Sequence, residues 1–328
     1  MRIPRLDQVR SPQAARVGSR SDFGYNAGRT RAKTRPTEAS VATFDSLWDY
    51  SHPAQTEAVF RELIATTRGE ELCELLSQVA RAQGLQRRFD EAAETLDQAE
   101  GLLQGHMPRA RVRCILERGR LLNSSGDSIG ARHLFIDAWH LARANRLDGL
   151  AVDAAHMIAI VSGNEEARTW NRRAIDLAAG SSDHEARRWL GSLYNNLGWT
   201  LHDQGQPEAA LDLFQKAVDF REEQGDRETL LIAKWCVARC LRSMGRVEEA
   251  LARQLDLREE YRQDGKRSGY VEEELAECLR ALGRPGEATP HFAVAYEELS
   301  KDDVRGDLEP DRLERLRQLA EPGRATII

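Results

Sequence analysis

The chain has 328 residues, of which 41% are hydrophobic, 30% charged and 6% aromatic, and its formal net charge is −6. This composition is typical of a helix-rich protein that lives in water, and no apolar run is long enough to cross a bilayer. It excludes an integral membrane protein.

The first segment, residues 1–43, differs from the rest in charge. Residues 1–40 hold nine basic and three acidic side chains, a local charge of +6, so the remainder carries −12. Too few apolar residues are present to build a core, and the sequence therefore predicts a disordered basic N-terminal arm. An over-extended start, an organellar presequence, and an arm that contacts nucleic acid or an acidic surface stay open.

The second segment, residues 44–69, is predicted to be an N-terminal capping element. Order is expected to begin near Phe44, and a helix is expected to begin at Pro53, since proline is favoured in a first helical turn. The predicted apolar stripe of this helix comprises Val59, Phe60, Leu63 and Ile64.

Residues 70–300 contain a repeat. Six times, a small residue is followed 12 positions later by alanine, 16 later usually by a bulky residue, and 19 later mostly by alanine. The six anchors are 39, 36, 43, 40 and 38 residues apart, and a period of this length indicates a solenoid of stacked supersecondary units. The anchors are Ala80, Gly119, Ala155, Gly198, Ala238 and Ala276.

The clearest copy lies in the stretch YNNLGWTLHDQGQPEAALDLFQKAV. Its apolar periodicity predicts two helices separated by a break at QGQPE. The diagnostic positions are Tyr194, Leu197, Gly198, Leu201, Gly205, Ala210, Phe214 and Ala217. This pattern resembles the tetratricopeptide repeat, and the long period is similar to kinesin-light-chain-like arrays. The resemblance implies an all-α, right-handed α-α superhelix of about six helix pairs with terminal capping helices.

The third copy departs most from the pattern. Ala155, Ala167 and Ala174 keep the small positions, but Asn171 replaces the bulky residue and Ser162 replaces the turn glycine.

The last segment, residues 301–328, is predicted to form a C-terminal capping helix and a tail. Pro310 opens this helix, Leu313, Leu316 and Leu319 share one face, and the intervening arginines are expected to turn elsewhere.

Nothing in the chain matches a phosphate-binding glycine loop or a nucleophile elbow, so we expect no catalytic residue and no cofactor. His133, Asp137 and His140 share a helix face, but their register places them away from the packed stripe and towards solvent. His156 follows an anchor directly and is the one candidate for a hydrolase or metal enzyme, against an ordinary structural histidine.

Five cysteines are present, an odd and sparse set that suits reduced core thiols in a cytoplasmic protein better than disulfides. Cys236 and Cys240 lie one helical turn apart without further ligands at metal spacing, so no metal site is expected.

In the tetratricopeptide family the first helix of each pair lines the concave surface. Residues beside the packed stripe here are rich in arginine, asparagine and tryptophan, which suit a peptide with acidic or C-terminal carboxylate character. The predicted peptide-binding groove comprises Arg81, Arg113, Arg120, Asn123, His156, Asn195, Trp199, His202, Trp235, Arg239, Arg242, Tyr270 and Arg280.

Two structural alternatives stay open for these side chains. The tryptophans can pack between first helices, and the arginines can pair with Glu117, Asp153, Glu273 and Glu277.

The function predicted from the sequence is a non-enzymatic protein-interaction module or scaffold that binds a peptide or partner segment. A peptide-sensing regulator, an enzyme around His156 and nucleic-acid contact through the basic arm are the alternatives, with nucleic acid and membrane not expected as the main partners.

Overall fold

The computed structural model describes residues 44–50, 52–302 and 310–321, and this part of the chain holds fifteen α-helices, one 3₁₀ turn and no strand. The chain divides into two compact units. Of the described residues, those up to Thr200 form the N-terminal unit and those from Leu201 onwards form the C-terminal unit. The basic arm predicted for residues 1–43 lies outside the described residues.

Eight complete helices belong to the N-terminal unit, and a ninth crosses its boundary. They are α1 (Pro53–Ile64), α2 (Gly69–Leu85), α3 (Phe89–Gly101), α4 (Pro108–Ser124), α5 (Ser128–Ala144), α6 (Asp148–Val161), α7 (Asn164–Gly180), α8 (His184–Arg188) and α9 (Leu190–Asp203). Helix α2 packs on α3, α4 on α5 and α6 on α7.

Six helices belong wholly to the C-terminal unit. They are α10 (Pro207–Gln224), α11 (Arg227–Ser243), α12 (Val247–Gln263), α13 (Gly269–Ala281), α14 (Pro285–Asp302) and α15 (Pro310–Leu319). Helix α10 packs on α11, α11 on α12, α13 on α14, and α14 on α15. The all-α solenoid class predicted from the sequence is confirmed.

The repeat anchors mark the points where two helices cross closely. All six are buried, on α2, α4, α6, α9, α11 and α13. A Cβ atom built on Gly119 would lie only 2.5 Å from Cε1 of Phe135, which is itself fully buried on α5. The separation of α4 and α5 therefore excludes any side chain at the anchor, which explains the small residue.

The turn between paired helices needs a left-handed residue. Gly126, Gly205, Gly245 and Gly283 occupy it with φ between +72° and +100°. The third copy solves the turn differently, because Ser162 is extended there (φ −100°, ψ 157°) and α7 begins two residues later.

The bulky position of each pair is buried in all six copies, including the two that hold amides. Asn171 and Gln254 occupy it in the third and fifth copies. Among the described residues, three of their side-chain atoms have no hydrogen-bond partner: Nε2 and Oε1 of Gln254 and Oδ1 of Asn171. These two repeats thus bury polar groups where their neighbours bury leucine or phenylalanine.

The N-terminal end of the solenoid is closed by α1 and the residues before it. Phe44, Trp48 and Phe60 are buried against α2, and the Trp48 indole N–H donates to Gln78 Oε1 at 3.0 Å. Val59, predicted on the apolar stripe, is 40% exposed. Successive residues are rotated by about 100° around a helix axis, so Val59 points away from the side on which Phe60 is buried.

Candidate functional site

The thirteen predicted groove residues divide between the two units. The N-terminal unit holds Arg81, Arg113, Arg120, Asn123, His156, Asn195 and Trp199, and the C-terminal unit holds His202, Trp235, Arg239, Arg242, Tyr270 and Arg280.

Arg113 is buried in an ion pair between first helices. Its Nε atom lies 2.8 Å from Oε2 of Glu74, across from α4 to α2. Arg109 places its own Nε 3.1 Å from the same oxygen and donates through Nη2 to Glu185 on α8. Burial raises the pKa of Glu74 above its ordinary value, although both arginine charges act to lower it.

A second chain of ion pairs joins α2, α4 and α6. The Nη1 atom of Arg81 lies 3.5 Å from Glu117 Oε1, and Arg120 donates to that oxygen at 2.7 Å and to Asp153 Oδ1 at 2.5 Å. Burial acts to raise the pKa of Asp153, but the charges of Arg120 and Arg81 outweigh it and lower this pKa. Arg81 also lies over the rings of Trp48 and Tyr50.

His156 is 2% exposed and belongs to the packed interior of the N-terminal unit. Its Nδ1 atom is 3.1 Å from the Asn196 amide nitrogen, and its ring lies 5.2 Å from that of Trp189. Trp199 is buried, while Asn195 and Asn123 are half-buried. Most predicted site residues in this unit thus form buried contacts between helices.

The corresponding residues of the C-terminal unit lie nearer the surface. On α11, Trp235 is half-buried, donates its indole N–H to the backbone oxygen of Tyr270 at 3.1 Å, and meets that ring edge-on at 6.1 Å. Ile232, one turn earlier on the same helix, is 40% exposed. An apolar surface therefore lies at this end of α11.

Two arginines follow on the same side of α11 and converge on one carboxylate of α13. Arg242 forms a fork with Glu274, through Nε to Oε2 at 2.7 Å and Nη2 to Oε1 at 3.1 Å. Arg239 adds its Nε at 3.0 Å from Oε1 and donates through Nη1 to Ser243 Oγ at 2.6 Å. Burial acts to lower the pKa of Arg242, but the charge and hydrogen bonds of Glu274 outweigh it and raise this pKa.

The same pattern continues from α13 to α15. Arg280 lies 3.7 Å from Glu277, which also accepts from Arg315, and Glu273 accepts from Arg312.

Arg312 further lies over the Tyr270 ring, 5.2 Å from its centroid. Arg312 and Arg315, predicted to lie off the leucine face of α15, thus contact the carboxylates of α13.

We call this surface of the C-terminal unit the arginine face. It comprises Ile232, Trp235, Arg239, Arg242, Tyr270, Glu273, Glu274, Glu277, Arg280, Arg312 and Arg315. Five guanidinium groups face three carboxylates there, so the face keeps an excess of two positive charges.

His202 sits beside the arginine face. Its Nε2 atom is 2.9 Å from Ser243 Oγ, the hydroxyl to which Arg239 donates, and its Nδ1 atom is 3.2 Å from Asp203.

Sequence reasoning missed Glu274, Arg312 and Arg315 on this face. The run of acidic residues at 272–274 and 277 carried a signal, since glutamates facing a row of arginines one repeat away predict ion pairs.

The structure also locates the other candidate sites considered in the sequence. His133, Asp137 and His140 are exposed, as their register predicts, and the five cysteines are buried and unbridged. Within the described residues no group of metal-binding side chains comes together. None of the described helices is both long and apolar enough to span a bilayer.

A family model for the tetratricopeptide repeat matches residues 150–223, which contain the third and fourth anchors. This part of the chain forms tetratricopeptide repeats. No curated protein matches its sequence at a significant level.

Solved structures share the fold of this chain at low sequence identity. The apo form of RapI superposes with a TM-score of 0.64 at 14% identity, covering 85% of this chain and 80% of RapI. Aspartyl phosphate phosphatase F from Bacillus subtilis gives 0.59 at 13% identity, with 88% and 87% covered. NprR in complex with its cognate peptide NprX gives 0.51 at 15% identity, with 87% and 85% covered.

Proposed function

We propose that this tetratricopeptide repeat protein is a non-enzymatic interaction module that binds an acidic peptide segment of a partner on its arginine face. One observation carries the proposal: five guanidinium groups against three carboxylates, next to the half-buried rings of Trp235 and Tyr270. Arginine forks bind carboxylates, and tryptophan and tyrosine supply large contact area at low entropic cost.

The N-terminal unit supports the same assignment by contrast. Its predicted groove arginines, Arg81, Arg113 and Arg120, are enclosed in ion pairs with carboxylates, and Arg113 and Arg120 are each less than one-tenth exposed. His156, the candidate for an enzyme, is engaged with Asn196 and Trp189 inside that unit. These side chains hold helices together, which favours the arginine face as the ligand surface.

A peptide-sensing regulator is the second candidate. The solved NprR complex shows that a helical-repeat fold of this type holds a peptide in that protein. In this chain, sensing would require the peptide to change the protein's conformation as well as bind it. Hydrogen exchange of the intact protein with and without peptide distinguishes the two, because a sensor shows changed protection far from α11 and α13.

The binding proposal is tested by selecting short random peptides on the full chain by display and measuring the enriched peptides by fluorescence polarisation. We expect Trp235→Ala and Arg239→Ala each to weaken binding about tenfold or more, the loss of one buried anchor or one charge-assisted contact.

Arg262→Ala is the matched control. Arg262 lies on α12 and is exposed, and among the described residues it pairs with Glu259, three residues earlier on the same helix. Its loss should therefore leave affinity unchanged. A selection without enrichment, or enriched peptides that bind all three variants as tightly as the wild type, would refute the proposal.

A further inference from the structure

The arginine face contains an arginine pair whose partner is supplied by the protein itself. The side chains of Arg239 and Arg242 are both about four-fifths covered, and both place their Nε atoms within hydrogen-bonding distance of Glu274. A guanidinium carries five N–H donors. Within the described part of the chain, the contacts with Glu274 and Ser243 use two donors of each arginine and leave three on each.

Glu274 alone does not balance this pair. One carboxylate lies between two guanidinium charges, and the next carboxylate on α13, Glu277, is engaged with Arg280 and Arg315. A second carboxylate placed beside Glu274 would therefore meet both unused donors and uncompensated positive charge. A ligand cation would instead meet two arginines around the carboxylate that they share, which opposes its binding.

The apolar end of α11 fixes a distance to this pair. Ile232, Trp235, Arg239 and Arg242 are spaced by three, four and three residues and so follow one side of the helix. At about 1.5 Å of rise per residue, the midpoint of the arginine pair lies ~8 Å along α11 from Trp235. An extended peptide covers that distance in about two to three residues at ~3.3 Å each.

We infer that the peptide of the proposed function carries an apolar residue against Ile232 and Trp235 and a carboxylate two to three positions away on Arg239 and Arg242, where it competes with Glu274. This inference rests on the proposed function and adds to it a recognition rule and an internal competitor. Glu274 is an internal competitor. It keeps the guanidinium groups oriented while no ligand is bound, and it weakens the binding of a ligand carboxylate to them.

The direction in which one substitution changes peptide affinity distinguishes competition by Glu274 from a purely structural role of this glutamate. Glu274→Gln keeps the size and hydrogen-bonding oxygen of the side chain but removes the competing charge, so the display-selected peptides should bind about tenfold tighter. If Glu274 serves the site only by holding the arginines in place, the same substitution weakens binding.

Glu260→Gln is the matched control. Glu260 accepts from Lys234 and Arg227 in an ion pair between α11 and α12 that includes no residue of the arginine face, so affinity should not change. Thermal melting of both variants verifies that they are folded at the assay temperature.

Altered peptides test the same inference without a protein variant. Changing its acidic residue to the amide, Glu to Gln or Asp to Asn, should weaken binding to the wild type about tenfold, and moving that residue to one or five positions from the apolar residue should do the same. Amidating the peptide's C-terminus distinguishes a side-chain carboxylate from the terminal one. Affinity falls on amidation only if the terminal carboxylate binds Arg239 and Arg242.

The outcomes distinguish the two proposals. Peptides that depend on Trp235 but lack acidic residues, or that bind Glu274→Gln more weakly than the wild type, overturn this inference and leave the proposed function standing. A selection that yields no binder overturns both.

Discussion

The buried amide of Gln254 leads to a prediction about stability. Its side chain on α12 is fully buried, and both amide atoms lack a hydrogen-bond partner among the described residues. Leaving a buried polar group unpaired costs about 1–3 kcal/mol. Methionine has nearly the same length and volume, so Gln254→Met removes the polar group without opening a cavity. We expect the free energy of unfolding of the C-terminal unit to rise by about 2 kcal/mol.

Hydrogen exchange read out by mass spectrometry measures this effect locally. Peptides from α11, α12 and α13 report the opening free energy of the C-terminal unit, and a gain of about 2 kcal/mol slows their exchange ~30-fold where exchange follows that opening. Gln263→Met on the exposed side of the same helix is the control and should leave exchange unchanged. Exchange in Gln254→Met that is as fast as in the wild type, or faster, would show that the amide is satisfied in solution and would refute the reasoning.

Three further predictions concern the N-terminal unit, each measured by urea titration. Gly119→Ala should lower the free energy of unfolding by about 1–3 kcal/mol, because the new methyl group overlaps the ring of Phe135, and equal stability would contradict the close crossing. Asp127→Ala should cost about 1 kcal/mol through loss of the cap on α5, where its carboxylate accepts from the Gly130 amide at 2.8 Å; an unchanged midpoint would argue against the cap. The lowered pKa of Asp153 stabilises the fold above the carboxyl's ordinary value of 3.8, and this contribution is lost as the pH falls below it, so Asp153→Asn should be less stable at neutral pH and should lose less stability between pH about 5 and 2. Parallel pH curves for Asp153→Asn and the wild type would contradict that assignment.

The sequence predicts the helix pairs well because their determinants are local. A small anchor such as Gly119 is required wherever two helices cross, and Phe135 fills the space beside it whatever the rest of the chain does. Periodicity records such needs directly. It also places His133 and His140 on the exposed side of α5.

The site is harder to predict because an arginine reaches several partners. Periodicity places Arg120 and Arg239 at equivalent positions of their helices, yet one is enclosed by Glu117 and Asp153 and the other lies part-exposed beside Glu274. The difference depends on carboxylates of the neighbouring helices and on how deeply each guanidinium is covered. A residue pattern within one repeat does not contain that information.

The ion pairs of the N-terminal unit also bear on how its repeats recognise their order. The alanine and glycine anchors are nearly interchangeable, so apolar packing alone would let one helix pair stack on almost any other. Arg113 reaches Glu74 and Arg120 reaches Asp153, each across one junction between consecutive first helices. A pair stacked out of sequence would leave these charges buried without partners, at a cost of several kcal/mol. The ion pairs thus favour stacking of each repeat on its correct neighbour over any other order.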